Sequence, residues 1–355
     1  MRIGYALSYP AGLAGEAGGI RRNMRAYMES ARIAGVETFE FSTWDDIQKS
    51  RCDLVHIAPA DLEMVGLAAE LRKRGVPFVV SPIIDKLASN AALRAVTMID
   101  RFAGRLAHTH LGGAREICEM AAGICVRSRE EQERVERGLG VRGVLSEIVF
   151  PAYSFEHTTP ELFMRNYDGP RDFVLFVGDL ANGRKNVLRL IEACKRLELP
   201  LVLIGECGQT SYGERVRRAT GEYKGARYLG RVSGQMLTSA MSACRVFALP
   251  SLMEGIGLAA IEAGMAGAPV VVTRNGGTPD YFCDLAHYVD PFSVSSIENA
   301  LKNAWQSDGT RLRDHLRRSL SHEAIGPQLR DFYERAIARR TAGDPSSHKA
   351  YSATK

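Results

Sequence analysis

Short apolar runs that end in Gly, Ser or Pro alternate along this chain with longer segments whose apolar positions recur at helical spacing. An unbroken apolar run of four to six residues suits a strand covered on both faces, and the interleaved amphipathic segments supply the covers. In the first half the expected strands are Arg2–Leu7, Leu54–Ala58, 78–81 and 123–127, and in the second half 173–178, 201–205, 246–250 and Val270–Thr273. Two successive sets of βαβ units predict two doubly wound α/β domains, in keeping with 355 residues at ~100–200 per core.

Between the two sets, residues 164–172 (MRNYDGPRD) are polar and contain Gly-Pro, which reads as a linker. The expected domains are therefore 1–165 and 170–325. A helix follows over 328–340 with Leu329, Phe332, Tyr333, Ala336 and Ile337 on one face, so 326–340 forms a separate terminal segment. The small polar stretch 341–355 is expected to be disordered.

Composition adds limits. With 45% hydrophobic and 25% charged residues the chain reads as an ordinary soluble protein. The formal net charge of +5 is too small to imply nucleic-acid binding. Ten of the 46 bases and five of the 41 acids lie in residues 311–355, which leaves 36 of each sign in residues 1–310. Arg311, Arg313, Arg317, Arg318, Arg330, Arg335, Arg339 and Arg340 carry most of that excess, and two readings stay open: solvated charge, or a basic rim for anionic lipid headgroups. The N-terminus reads as a strand rather than a secretory leader, and Glu262 interrupts the longest apolar run, 255–273, so a cytoplasmic protein is expected. Seven scattered cysteines without a CxxC pair read as small core residues in a reducing compartment.

Ligands of doubly wound sheets bind beyond the carboxyl ends of the strands, so the candidate chemistry is sought there. After 246–250 comes Glu254-Gly255-Ile256-Gly257-Leu258, then Glu262 within the following helix, whose N-terminal amides suit an anion. Taken singly, each glutamate also reads as a complement to a helix start or a solvated surface group. After 173–178 come Arg184 and Lys185 at a loop–helix junction, either solvated or placed for phosphate oxygens. The first strand leads into a glycine-rich loop containing Gly18 and Gly19, a place for phosphate or a plain loop. Arg21, Arg22 and Arg25 then oppose the helix dipole; a solvated face and a contact with phosphate both remain open. His56 reads as a core residue, and Asp85 as an N-cap or a group lining the ligand side. No D-x-D triplet and no His/Cys/Asp cluster of metal spacing occurs, so neither metal nor cofactor is expected. The absence of a strand-linked G-x-G-x-x-G excludes a nicotinamide oxidoreductase.

The spacing E-x7-E in EGIGLAAIEA, followed by AGAPVVVT, resembles the signature of family 4 glycosyltransferases of the GT-B fold. Further matching segments stand in the same order: 173–178, Arg184-Lys185-Asn186, 190–193, 201–205, 229–233 and 275–280. The resemblance implies two Rossmann-like domains facing across a cleft, a C-terminal helix crossing back to the N-domain, and a nucleotide-sugar donor on the C-domain. It implies that Glu254 holds donor-sugar hydroxyls and supports the developing positive charge, and that Glu262 binds the ribose. Backbone amides near Ile256, Gly257 and Leu258 would meet the phosphates, with Gly18 and Gly19 closing over them. Lys185 matches the family's lysine. Asp179 stands where the family has an arginine, for which Arg184 is the substitute candidate, and no histidine follows 78–81. The implied activity is metal-independent transfer, with retention of configuration, from a nucleotide-diphosphate sugar to a hydroxyl of a glycan or lipid-linked acceptor. Cell-surface polysaccharide or lipopolysaccharide synthesis and peripheral contact with the inner membrane face are the implied setting. The alternative is a catalytically weakened nucleotide-sugar-binding or scaffolding protein.

Overall fold

The computed structural model describes residues 1–8, 19–42, 51–85, 87–103, 109–155 and 159–341. The chain folds as two compact units, Met1–Ala152 with His322–Lys355, and Tyr153–Ser321.

The first unit holds six parallel strands, β1 (Arg2–Leu7), β2 (Glu37–Glu40), β3 (Leu54–Ala58), β4 (Phe78–Val80), β5 (Gly123–Val126) and β6 (Leu145–Ile148), in the order β2-β1-β3-β4-β5-β6. Alternation along each strand divides its core between the two faces. Val55, Ile57, Phe78, Val80, Ile124 and Val126 lie in one cluster. Leu54, Ala58, Val79 and Cys125 lie in the other, with Met24 and Tyr27 of helix Gly19–Ile33. Helix His322–Thr341 covers that second face with Leu329, Phe332, Tyr333 and Ala336, all fully buried.

The second unit repeats the plan with β7 (Val174–Val177), β8 (Leu201–Ile204), β9 (Ala226–Gly230), β10 (Val246–Leu249), β11 (Val270–Thr273) and β12 (His287–Val289), in the order β12-β11-β10-β7-β8-β9. Its strands too are all parallel. The doubly wound α/β class expected from the apolar runs is thus present twice.

The unit boundaries fall elsewhere than the polar composition of 164–172 suggests. Helix Glu161–Asn166 buries Phe163 against Tyr167 and Phe173, with ring centroids 5.0 and 5.4 Å away, and the Phe163 amide donates to Ser239 Oγ at 2.9 Å. Residues from Tyr153 onward therefore belong to the second unit, whose two ends are joined by the Tyr153 amide on Leu320 O at 2.8 Å. The chain re-enters the first unit at His322.

The C-terminal arginines also divide. Arg311, Arg313, Arg317 and Arg318 lie on helix Thr310–Ser319 of the second unit, while Arg330, Arg335 and Arg339 lie on the first. Arg330 pairs with Glu334 at 2.8 Å, and Arg335 with Asp331 and Glu147. The expected disorder of 341–355 concerns residues that, from 342 on, lie outside the described ones. All seven cysteines are free thiols, and Cys118, Cys125, Cys194 and Cys244 are buried. No helix among the described residues is long and apolar enough to cross a membrane.

Candidate functional site

In the second unit the winding reverses between β7 and β10, because β7 leads outward through β8 to β9 while β10 leads the other way through β11 to β12. Such a switch point leaves a crevice at the strand ends. The loops after β7 and β10 carry Arg184, Lys185 and Glu254 there.

Local backbone chemistry shapes the first loop. Asp179 Oδ1 accepts the Ala181 amide at 3.0 Å, and Asn182 Oδ1 accepts the Arg184 amide at 3.0 Å, tightening the turn Gly183–Lys185. Asn186 then takes a left-handed conformation, φ 60° and ψ 30°, tolerated by Asn better than by most residues. Its buried Nδ2 donates to Pro250 O at 2.9 Å and Pro291 O at 2.7 Å, so one amide ties together the loops after β7, β10 and β12. The Leu252 amide reaches back to Arg184 O at 2.8 Å.

Three side chains converge on Glu254. Lys185 Nζ donates to Glu254 Oε1 at 2.7 Å and Ser251 Oγ donates to the same oxygen at 2.6 Å. Arg184 Nη1 lies 3.7 Å from that oxygen and donates to Met253 O at 2.5 Å. The Glu254 side chain is only 7% exposed, and a buried carboxylate demands such partners. Two cations against one carboxylate leave the trio at +1.

The backbone of Glu254 is clamped as well. Its amide donates to Asn275 O at 3.1 Å and its carbonyl accepts the Gly277 amide at 3.0 Å, making a lone parallel bridge with Gly276. Gly276 has φ +109°, and a Cβ there would lie 1.8 Å from Glu254 O, so only glycine permits this approach. Gly257, left-handed at φ 74°, caps helix Leu258–Ala266, whose first amides have no partner within the helix. Ile256 is buried, Leu258 half-buried, and Glu262 lies half-buried in the second helical turn.

The remaining sequence candidates stand in the first unit. Gly19 opens helix Gly19–Ile33, and Gly18 lies outside the described residues. His56 is fully buried in β3, between Tyr333 Oη at 2.8 Å from Nδ1 and Ser81 Oγ at 2.9 Å from Nε2. Asp85 pairs with Arg127 at 2.9 Å. Ser251, Arg127 and Glu131 are absent from the sequence candidates, and Asn186 enters them only as the end of the Arg184-Lys185-Asn186 match. Only the pair Ser128 and Glu131 carried a readable signal, the S-x-x-E capping box. Among the described residues no His/Cys/Asp/Glu group could hold a metal ion.

Residues 162–321 match the family described as glycosyl transferases group 1. That segment contains Arg184, Lys185, Ser251, Glu254, Glu262 and Gly276. The likeness to that family is confined to this segment. The chain is 32% identical over 147 residues to O-antigen chain mannosyltransferase B of Escherichia coli, 39% of this chain and 38% of that protein. It is 27% identical over 244 residues to the sulfoquinovosyl transferase of Arabidopsis thaliana, 66% of this chain and 45% of that protein. The matches thus span less than half the length of these curated relatives.

Solved structures share the fold over most of the chain. Sucrose-phosphate synthase of Thermosynechococcus elongatus superposes with a TM-score of 0.71 at 20% identity, covering 95% of this chain and 100% of that one. Anabaena HepE in complex with UDP and glucose gives 0.68 at 14%, covering 94% and 99%. The fold is therefore that of the GT-B glycosyltransferases, as the E-x7-E resemblance implied. The segment that matches the group 1 model lies within the second unit, and there Glu254 and the paired cations meet at one oxygen.

Proposed function

We propose that this chain is a glycosyltransferase that moves a hexosyl group from a nucleotide-diphosphate sugar to an acceptor hydroxyl with retention of configuration. The observation that carries the reading is the Lys185–Glu254–Arg184 cluster at the β7/β10 switch point of the segment that matches the group 1 family. A leaving diphosphate gains negative charge in the transition state, and fixed cations beside it act there more strongly than in the ground state. Lys185 and Arg184 supply them, together with the amides that open helix Leu258–Ala266. Glu254 is proposed to hold donor-sugar hydroxyls and stabilise positive charge at the anomeric carbon, and Glu262 to bind the ribose. The leaving diphosphate then takes the acceptor proton on the same face of the sugar. No metal takes part in this scheme, and no second carboxylate is required, unlike in a glycosidase pair.

Support for a surface-glycan or lipid-linked acceptor comes from the bacterial relative named for O-antigen chains. Asp179, turned onto its own loop at the family's arginine position, favours a second reading, a donor-binding protein with weakened catalysis. A thermal-shift screen of UDP-, GDP-, ADP- and dTDP-sugars tests donor binding, because a donor at ~100 times its Kd adds ~2.7 kcal/mol to the folded state. Glu254→Gln should then lower kcat for transfer at least ~100-fold. Near-normal transfer by that variant removes Glu254 from the chemistry, whereas donor binding without hydrolysis or transfer by the wild type leaves the weakened reading.

A further inference from the structure

In the second unit, β12 and the helix after it line a groove that the donor chemistry does not use. β12 is the outermost strand, two strands beyond β10, so its outward N–H and C=O groups have no strand partner among the described residues. Helix Val294–Trp305 follows, and residues of both elements line an open groove of about 650 Å³. Neighbours on a strand point to opposite faces of its sheet. His287 and Tyr288 nonetheless both line the groove, which therefore opens along the outer edge of β12.

The groove is braced at both ends. The Asp290 amide donates to Ser296 Oγ at 3.0 Å and the Ser296 amide to Ser293 Oγ at 3.1 Å, fixing the corner between strand and helix. His287 Nε2 lies 3.0 Å from Ser307 Oγ, past the other end of the helix. Ile297, Leu301 and Ala304 bury one face of that helix and leave Ser295, Asn299 and Asn303 as an exposed stripe along the groove. Residues four apart on a helix repeat every ~6 Å, close to the ~6.6 Å between same-facing residues of an extended chain. The stripe spans ~12 Å, the length of about four extended residues. Serine and asparagine side chains both donate and accept, as a peptide main chain requires.

Charge adds a selection. Arg274, also lining the groove, lies over the Tyr288 ring with its guanidinium carbon 4.0 Å from the centroid. Tyr288 is itself pinned by its Oη, which donates to Cys283 O at 2.5 Å. Among the described residues no carboxylate pairs with Arg274 and none lines the groove. The ring holds the guanidinium and leaves its fork of N–H donors for a carboxylate from outside.

We propose that this groove takes a short extended peptide of a partner protein, added as a strand to β12, with an Asp or Glu of the peptide on Arg274. The main chain of β12 bonds to the peptide backbone, the Ser295, Asn299 and Asn303 stripe meets its other side, and Arg274 selects the acid. The proposal is independent of the donor chemistry.

The test pans phage-displayed random hexapeptides against the full chain and measures the selected sequence as a synthetic peptide by isothermal titration calorimetry. Selected sequences should share one Asp or Glu at a fixed position among β-branched residues. Replacing that acid by Gln should weaken binding at least ~10-fold, as should Arg274→Gln in the protein, and both changes together should cost little more than one. Asn299→Ala and Asn303→Ala should each weaken binding ~2–10-fold. These side chains are exposed, so the three protein variants should keep the wild-type melting temperature. N-methylation of alternate peptide amides should abolish binding in one register and spare it in the other, the mark of strand addition. The changes made in the peptide probe the pairing whatever the variants do to stability. Selection without a shared sequence overturns the proposal, as does an acidic peptide that binds Arg274→Gln as tightly as the wild type. Equal tolerance of both N-methylated registers overturns strand addition. Inorganic phosphate that binds as tightly as the selected peptide makes Arg274 a small-anion site instead and overturns the proposal too.

Discussion

Asn186 shows how a single side chain sets the candidate site. Its amide holds carbonyls 64 and 105 residues away, and its backbone is left-handed. Asn186→Ala removes both bonds, orphans two buried carbonyls at about 1–3 kcal/mol each, and adds a left-handed penalty of about 1 kcal/mol. Asn186→Gly loses the bonds without that penalty. Urea unfolding should therefore rank wild type above the Gly variant and the Gly variant above Ala by about 1 kcal/mol, with donor Kd raised in both. Equal stability of the two variants would show that the backbone conformation carries no cost. Glu254 and Lys185 were readable in the sequence because they follow apolar runs at a recognisable spacing. Ser251 was not, and Asn186 stood only as the end of a matching segment, since their importance lies in partners on other loops.

Among elements, the fold was legible wherever burial writes an apolar run. Each of the eight expected strands is present, and the four that no run announced are β2, β6, β9 and β12. All four are sheet edges, and their residues are partly exposed, as in ETFE of β2 and ARYLG of β9. An edge strand is covered less and so needs fewer apolar residues to fold. The loop after β11 was legible as a motif segment but not as the clamp on Glu254, which exists only as a backbone approach at Gly276. Gly276→Ala cannot keep that approach with a Cβ 1.8 Å from Glu254 O. The bridge should open and displace Glu254 from Lys185. Transfer is expected to fall at least ~10-fold, since a misplacement near 1 Å can cost ~100-fold. Full transfer by Gly276→Ala would mean that the clamp does not position the glutamate.

For the molecule as a whole, the two units should respond differently to acid. His56 sits at the centre of the first unit's hydrogen-bonded chain, Tyr5 Oη to Tyr333 Oη at 2.8 Å, then the imidazole, then Ser81 Oγ. Tyr5 and Tyr27 pack on it with ring centroids at 5.5 Å each, and burial pushes its pKa down to about 3. An unfolded chain titrates near 6.5, so between pH 6.5 and about 3 the unfolded state holds a proton that the folded state does not. Stability is then full above pH 6.5 and falls as pH drops, by about 1.4 kcal/mol per unit, or about 2 kcal/mol at pH 5. Helix His322–Thr341 contributes Tyr333, so this loss reaches the segment that returns from the second unit. Hydrogen exchange corrected for intrinsic rate should show protection of 54–58 and 329–336 falling between pH 7.5 and pH 5. His56→Gln keeps hydrogen-bonding groups without a titrating ring and should remove most of that pH dependence. An unaltered pH slope in the variant would place the acid sensitivity elsewhere. In the second unit burial also lowers the pKa of the half-buried His287, so strand β8, with Leu201, Val202 and Leu203 fully buried, is compared in a His287→Gln background as the internal control.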